Sequence, residues 1–479
     1  MRRGRGLRSL RAFGVALTAC GAPGGGDSGA RTDALSDRGA DAGSTDSGSP
    51  NDVLVATDSG SRDDGGDAAA PTCAIPSILD GFVARRTLHV SMSGNDSADG
   101  LTPTSAWATL AHASALQPGD EVRIEPGTYA CPALDSVHGT AALPVHFVAA
   151  GAPRSAILDC TAGGMFLTNL QYVAFDALEV RHSPDGHCIN LNSGGAPFRN
   201  LSEHVLFINL AVHDCLLSGI KSSQAFEIDI RNSEISHNTA AGNPLIDWVA
   251  VHDGRIVGND IHDGADIGAQ VKGGAYNCVI ESNRIHDVAD AAIQLGESTG
   301  TGFYLPSYTD WEASRSSAVN NLLYGSLRAG IAVQGCDACL VAHNTMWANA
   351  PAFYVRGLPT QNQSGATIND TGLVLVNNIF ASRLPGNVPL NIVPPSDAIL
   401  DQGYNLYFSP GGIIAGRYSD TPIAGSGNLV DSDPRFVDPT APDLHLGTGS
   451  PALGAARATP TVMRTFGGAC RVGNDLGAW

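Results

Sequence analysis

Lysine is nearly missing from this chain of 479 residues: Lys221 and Lys272 stand alone against 26 arginines. Basic residues as a whole are outnumbered, 28 to 47, which gives a formal net charge of −19. That balance excludes nucleic acid as an expected partner. Most of the chain also lacks a 3.6-residue apolar period, which excludes a helical bundle. Cys336-Asp337-Ala338-Cys339 has no second pair downstream, so neither a zinc site nor a redox centre is expected there.

What the chain does have is a repeat. Asn259, Asn283, Asn321, Asn344, Asn378 and Asn405 each stand two residues before an apolar residue, at steps of 24, 38, 23, 34 and 27. Between them lie short β-branched runs broken by Gly, Asn and Asp, the pattern of a β solenoid. Three such runs with tight bends make one winding of a parallel β-helix, and stacked Asn side chains would bond to their copies above and below. The apolar row extends upstream through Val180, Val212, Ile235, Ile261 and Ile285. The two long steps place insertions at 296–315 and 358–372. The first insertion carries Phe303, Tyr304, Tyr308 and Trp311, rings that either stack on sugars or cover the core.

The N-terminus is separable. Residues 1–11 hold five arginines and no acid, and a short apolar run from Phe13 to Ala19 is too brief to span a bilayer. Leu17-Thr18-Ala19-Cys20 resembles the bacterial lipobox. That resemblance implies a lipoprotein signal peptide at 1–19, lipidation of Cys20, and anchoring in the outer membrane of a Gram-negative cell or display on its surface. Residues 20–72 read as a disordered Gly/Ser/Asp-rich tether: positions 21–72 contain ten Asp but no Glu, Lys or aromatic residue. Such a chain of about 50 residues reaches roughly 40 Å. Loss of the signal peptide takes away five positive charges, so the mature charge is −19 − 5 = −24.

Ten cysteines in an exported chain suggest disulfides. Cys131, Cys160, Cys188 and Cys215 are 29, 28 and 27 residues apart, about one winding each. Windings about 4.8 Å apart would permit Cys131–Cys160 and Cys188–Cys215 bridges, or a row of stacked thiols. Setting Cys20 aside leaves an odd number, so at least one stays unpaired.

Residues 73–479 are expected to form one domain, a monomer. Its opening contains Leu88-His89-Val90-Ser91, the loop from Gly94 to Gly100, a helically spaced stretch from Ala106 to Ala113, and Pro126-Gly127-Thr128-Tyr129. Its end contains Asp433-Pro434-Arg435-Phe436 and Gly449-Ser450-Pro451-Ala452. These stretches resemble the entry and terminal segments of bacterial right-handed parallel β-helix proteins of the pectate-lyase-like superfamily. The resemblance implies an all-β, right-handed, single-stranded solenoid with an N-terminal capping helix at 106–113. It also implies polysaccharide as the partner.

The two lysines each precede by 11 residues an Asn leading into a bend, Asn232 and Asn283, which would put them on one face roughly 10 Å apart. His252 falls between them. A Lys221–His252–Lys272 ladder suits an acidic glycan, and β-elimination from a uronic-acid polymer is the leading expectation. Elimination needs the uronate charge offset and a base to take the neighbouring proton. Lys272 is the proposed base, with Lys221 and His252 as neighbours and Arg284, Tyr304 and Trp311 as substrate contacts. Lysine serves as a base only if its pKa is lowered. Asp263 and Asp266 are the proposed metal ligands, and Ca2+ is the one cofactor this reading allows. The chain departs from the resemblance in lacking an Asp-Asp-Gly-Trp-Asp-like calcium segment. His-Asp recurs at 213, 262 and 286 directly after the apolar bend residue, which points to a structural bend. Paired carboxylates such as Asp263 with Asp287, or Asp266 with Asp290, would serve a glycoside hydrolase, with nothing in the sequence selecting one pair, and an adhesive or glycan-binding solenoid is the non-catalytic alternative. The stretch from Gln270 to Phe303 is the least generic part of the solenoid.

Overall fold

In the computed structural model, the described residues are 73–479 except 113–114, 185, 194–197, 199, 307, 309, 350–351, 356–359, 362–366, 386–389, 393–398, 413–424 and 460. The segments read as a signal peptide (1–19) and a tether (20–72), with Cys20, lie outside them, as does Ala113. The compact unit that holds the described residues runs from Ala68 to Trp479.

The apolar row stacks as the repeat requires. Val180, Val212, Ile235, Ile261, Ile285, Leu323, Met346, Phe380 and Tyr407 are register partners from winding to winding, in parallel strands throughout. Each winding visits three faces. The central one runs through Ala269–Lys272 on the first face, Ala275–Tyr276 and Val279–Glu281 on the second, and Arg284–Val288 on the third. One sheet of 24 strands covers the first two faces and one of 12 covers the third. The first two share a sheet because strands such as Ile220–Arg231 turn the corner without a break. Two short antiparallel hairpins, at 360–368 and 436–446, are the exceptions among the described strand pairs.

Alternation along each strand sends every second side chain inward. The interior is a column of like residues, such as Phe147, Phe175 and Phe207, whose rings stack at 5.0 and 5.5 Å. The bend between second and third faces is held by the Asn ladder. Nδ2 of Asn259, Asn283, Asn321, Asn344 and Asn378 each donates to Oδ1 of the next Asn at 2.9–3.0 Å, and all six are buried. Buried amides are stable here because each also donates to a main-chain carbonyl, for example Asn321 to Ile280 at 2.9 Å. The His-Asp pairs are bends, as their repetition suggested. Asp214, Asp263 and Asp287 sit at φ of 57°, 53° and 51°, a left-handed conformation that Asp tolerates, and each accepts from the preceding His at 2.8 Å.

The capping helix is not there. Pro103–Ser105 forms a single 3-10 turn, and Trp107 instead pairs laterally with the first strand, its N–H to His89 and its carbonyl to Ser91. Asp96 accepts from the N–H groups of Ala108 and Thr109 at 2.9 Å each, which holds that backbone out of a helix. The helical spacing of Trp107 and Leu110 reflects two apolar side chains closing the mouth of the solenoid, both nearly buried.

Of the two arrangements open to the evenly spaced cysteines, bridges form rather than stacked thiols, with Cα separations of 4.9 Å for Cys131–Cys160 and 5.6 Å for Cys188–Cys215. Cys336 is bonded to Cys339, and Cys73 to Cys470 across 397 residues. Cys278 is free and buried, and burial pushes its thiol up to about 12. After the last winding the chain returns along the ladder edge. Arg457 N–H donates to Asn377 Oδ1 at 3.0 Å, Asn320 Nδ2 to the Arg464 carbonyl at 2.7 Å, and Ser282 Oγ to the Thr465 carbonyl at 3.2 Å.

Candidate functional site

Outward positions of the first face form a column: Phe166, Asn190, Lys221, Asp247, Gln270, Gln294, Ala332 and Tyr354 are successive register partners. Their neighbours along the strands, such as Ile246, Trp248, Ile293 and Leu295, fill the core. The middle of this column is polar and deeply covered. Gln270 and Gln294 are 0% exposed and Asp247 is 6% exposed. Asp247 Oδ1, Gln270 Oε1 and both amide atoms of Gln294 have no hydrogen-bond partner in the protein. Buried polar atoms are normally satisfied, so these four atoms set the strip apart from the rest of the face.

Charged groups surround the strip. Lys221 is ion-paired with Asp247 on the next winding. Lys272 Nζ donates to Glu297 Oε2 at 2.7 Å, and Gln270 Nε2 reaches the same oxygen at 3.0 Å. Burial works to lower the Lys272 pKa, but Asp247 and then Glu297 outweigh it, so the ammonium is held above its ordinary value. That corrects the expectation of Lys272 as a resting base. Asp266 shifts the opposite way for a carboxyl: burial, then Asp290 and Glu297, push it up. Asp290 is itself paired with Arg328 at 2.7 Å. His187 accepts from the Ser218 N–H through Nδ1 at 3.1 Å, and burial together with Lys221 pushes it down to about 4. A neutral ring bonded that way carries its proton on Nε2 and is a donor.

The proposed ladder therefore breaks in two places. Lys221 and Lys272 share the first face but not a column, since Lys272 pairs in register with Val249 and Lys221 with Asp247. The reference Asn residues are not equivalent: Ser233, not Asn232, bonds into the ladder through Asn259. The corner Gly273-Gly274 also adds one residue relative to the preceding winding, since Val249 pairs with Lys272 and His252 with Tyr276. His252 lies around the corner on the second face, 1% exposed, donating from Nε2 to the Gly274 carbonyl at 3.0 Å.

The remaining predicted residues scatter. Arg284 is on the third face, 3.7 Å from Asp260. Tyr304 is buried with its hydroxyl on Glu312 at 2.6 Å, so it is no substrate contact. Trp311 is half-buried beside a separate small pocket of the second face. Asp263 accepts from His262 at the third-face bend, while Asp266 stands with Asp290, Glu297 and Lys272; the two share no site. Among the described residues no three His, Cys, Asp or Glu side chains come together as metal ligands.

Sequence reasoning did not single out Gln270, Gln294, Glu297, His187 or Glu312 individually, although three of them lie in the stretch marked as least generic. An outward Gln in a strand carries no signal of its own. Glu312 is 0% exposed and accepts from Gly273 N–H, Thr299 N–H, Thr299 Oγ1 and Tyr304 OH at 2.6–2.9 Å, tying the first insertion to the solenoid wall.

The three faces and the Asn ladder together define a right-handed parallel β-helix. A family model described as right handed beta helix region matches residues 163–305. Among solved structures, pectate lyase Pel9A aligns at a TM-score of 0.55 and 16% identity, covering 84% of this chain and 98% of that one. XylC in complex with xylose aligns at 0.50 and 12%, covering 82% and 98%. The A-module of Azotobacter vinelandii mannuronan C-5 epimerase AlgE6 aligns at 0.50 and 13%, covering 67% and 91%. At such identities the likeness is one of fold. No curated protein sequence matches the chain.

Proposed function

We propose that this is an exported polysaccharide-active protein whose first-face strip binds a glycan and cleaves its glycosidic bonds by hydrolysis. The observation that carries the reading is a cluster of carboxyl groups with unlike surroundings. Burial and neighbouring acids push Asp266 up, while Glu297 accepts from Lys272 Nζ at 2.7 Å. Glycoside hydrolysis asks for a proton donor and a second carboxyl group. Asp247, Gln270 and Gln294 lie beneath these groups and are covered in this structure, as Tyr304 is. The similar structures named above include a pectate lyase, a xylose complex and a mannuronan epimerase, which supports a carbohydrate ligand. β-Elimination is the second reading, favoured by the ammonium groups of Lys221 and Lys272, which would attract a uronate.

The test is a panel of acidic and neutral polysaccharides. New reducing ends without an ultraviolet-absorbing unsaturated product are expected, with Asp266→Asn and Glu297→Gln each slowing release about a hundredfold or more. Unsaturated product would replace hydrolysis by elimination. Binding without cleavage would make the protein a glycan-binding solenoid.

Export and anchoring belong to the same reading. Four disulfides suit an oxidising compartment, and the lipobox-like segment ending at Cys20 would fix the chain to the outer membrane. Cys20→Ser is expected to move the protein from the membrane fraction to the soluble fraction; retention on the membrane would remove the anchor.

A further inference from the structure

We propose that a notch on the second face is a separate binding site for one neutral pyranose unit of a polysaccharide. It is a pocket of about 210 Å³ whose floor is Gly274 and Ala275 and whose walls are Tyr276, Tyr308, Asp310, Trp311 and Ser314. It lies beyond the Gly273-Gly274 corner from the polar strip, and the proposal stands whether or not that strip is catalytic.

The notch is built. Tyr308 and Trp311 belong to the first insertion, which the buried Glu312 carboxylate fixes through four donors. Gly274, at φ 82°, permits the close approach: a Cβ there would strike the Tyr308 carbonyl and the Tyr304 ring. Behind the rings His252 lies 4.0 Å from Tyr308, and its buried Nδ1 has no partner. Tyr308 is thus seated against Gly274 and His252 before any ligand arrives, which cuts the ordering cost of binding.

The chemistry selects the ligand. Tyr276 and Tyr308 are set 5.4 Å apart at 58°, and Trp311 adds a third aromatic wall to what is an open notch rather than a sealed core. The C–H groups of a pyranose carry partial positive charge and are drawn to the negative face of such rings. Asp310 and Ser314 add acceptors for the hydroxyl groups at the sugar's rim. The exposed Asp310 carboxylate repels a uronate, so the unit is neutral. A flat aromatic amino acid would leave those acceptors unused.

Titrations of the full chain with xylohexaose, cellohexaose, mannohexaose and oligogalacturonate hexamer, followed by calorimetry and tryptophan fluorescence, test this. At least one neutral hexamer is expected to bind and perturb the fluorescence, and Trp311→Ala or Tyr308→Ala to weaken that binding tenfold or more. Asp310→Ala, at an exposed position, gives a variant without packing consequences and is expected to weaken it several-fold. Arg284→Ala, on the third face, is expected to leave it unchanged. The proposal is overturned if no neutral hexamer binds, if binding survives the three notch substitutions, if it is lost in Arg284→Ala, or if the acidic hexamer binds the notch as tightly as the neutral ones.

Discussion

Asn283 Nδ2 donates to Asn321 Oδ1 at 3.0 Å across 38 residues of chain, the same bond that Asn259 makes to Asn283 at 2.9 Å across 24. The insertion that separates Asn283 from Asn321 therefore leaves no mark on the ladder. Extra chain is expelled at the corner between first and second faces, and the bend between second and third faces stays in register. A rigid bend and a permissive corner explain how loops carrying polar and aromatic groups accumulate along one edge.

Asn321→Ala should cost about 3 kcal/mol of stability. The substitution strips partners from the buried N–H and Nδ2 of Asn283 and from the Ile280 carbonyl, and each buried unsatisfied group costs about 1–3 kcal/mol. Chemical denaturation should show a lower midpoint at unchanged slope. A loss under 1 kcal/mol would mean that the ladder is incidental to the stacking.

Glu312→Gln keeps the shape of the side chain but turns one acceptor oxygen into a donor that faces N–H and O–H groups. The insertion should loosen while the solenoid persists. Hydrogen exchange at Thr299 and nearby amides should rise at least tenfold with little change in exchange along the Asn ladder. Unchanged protection at Thr299 would show that other contacts hold the insertion.

His343 should make the protein labile to acid. Burial, and then Arg471, pushes it down to about 3, and its Nε2 accepts from Asn377 Nδ2 at 2.9 Å. Its folded pKa lies below the ordinary value of about 6.5. The unfolded chain therefore binds the proton first, and stability is lost as pH falls from about 6.5 towards 3, by up to about 1.4 kcal/mol per pH unit. His187, down to about 4, acts with the same sign. Melting temperatures measured between pH 7 and 5 should fall less steeply for His343→Gln than for the natural protein. Parallel slopes would refute the assignment.

The repeat was legible because the Asn bend and the apolar residue after it need one residue type each, at one position, in every winding. The bridges Cys131–Cys160 and Cys188–Cys215 were legible as possibilities for the same reason. Faces without such a marker were not. Register on the first face depends on the number of residues at each corner, and an added glycine in Gly273-Gly274 moves Lys272 away from the column of Lys221. The metal pair failed because sequence proximity of Asp263 and Asp266 spans a bend between two faces. The strip's Gln270 and Gln294 are conspicuous only through burial, which an alternating strand does not announce. The apolar spacing around Trp107 imitated a helix because two large side chains plug one opening.

The bond from Cys73 to Cys470 buckles both outer segments of the described chain to one flank, beside His343. Stacked windings ordinarily peel from whichever extremity is loosest, since each leans only on those adjacent. The bridge joins the two tails on that flank, and its reduction would free them without opening the stacked windings themselves.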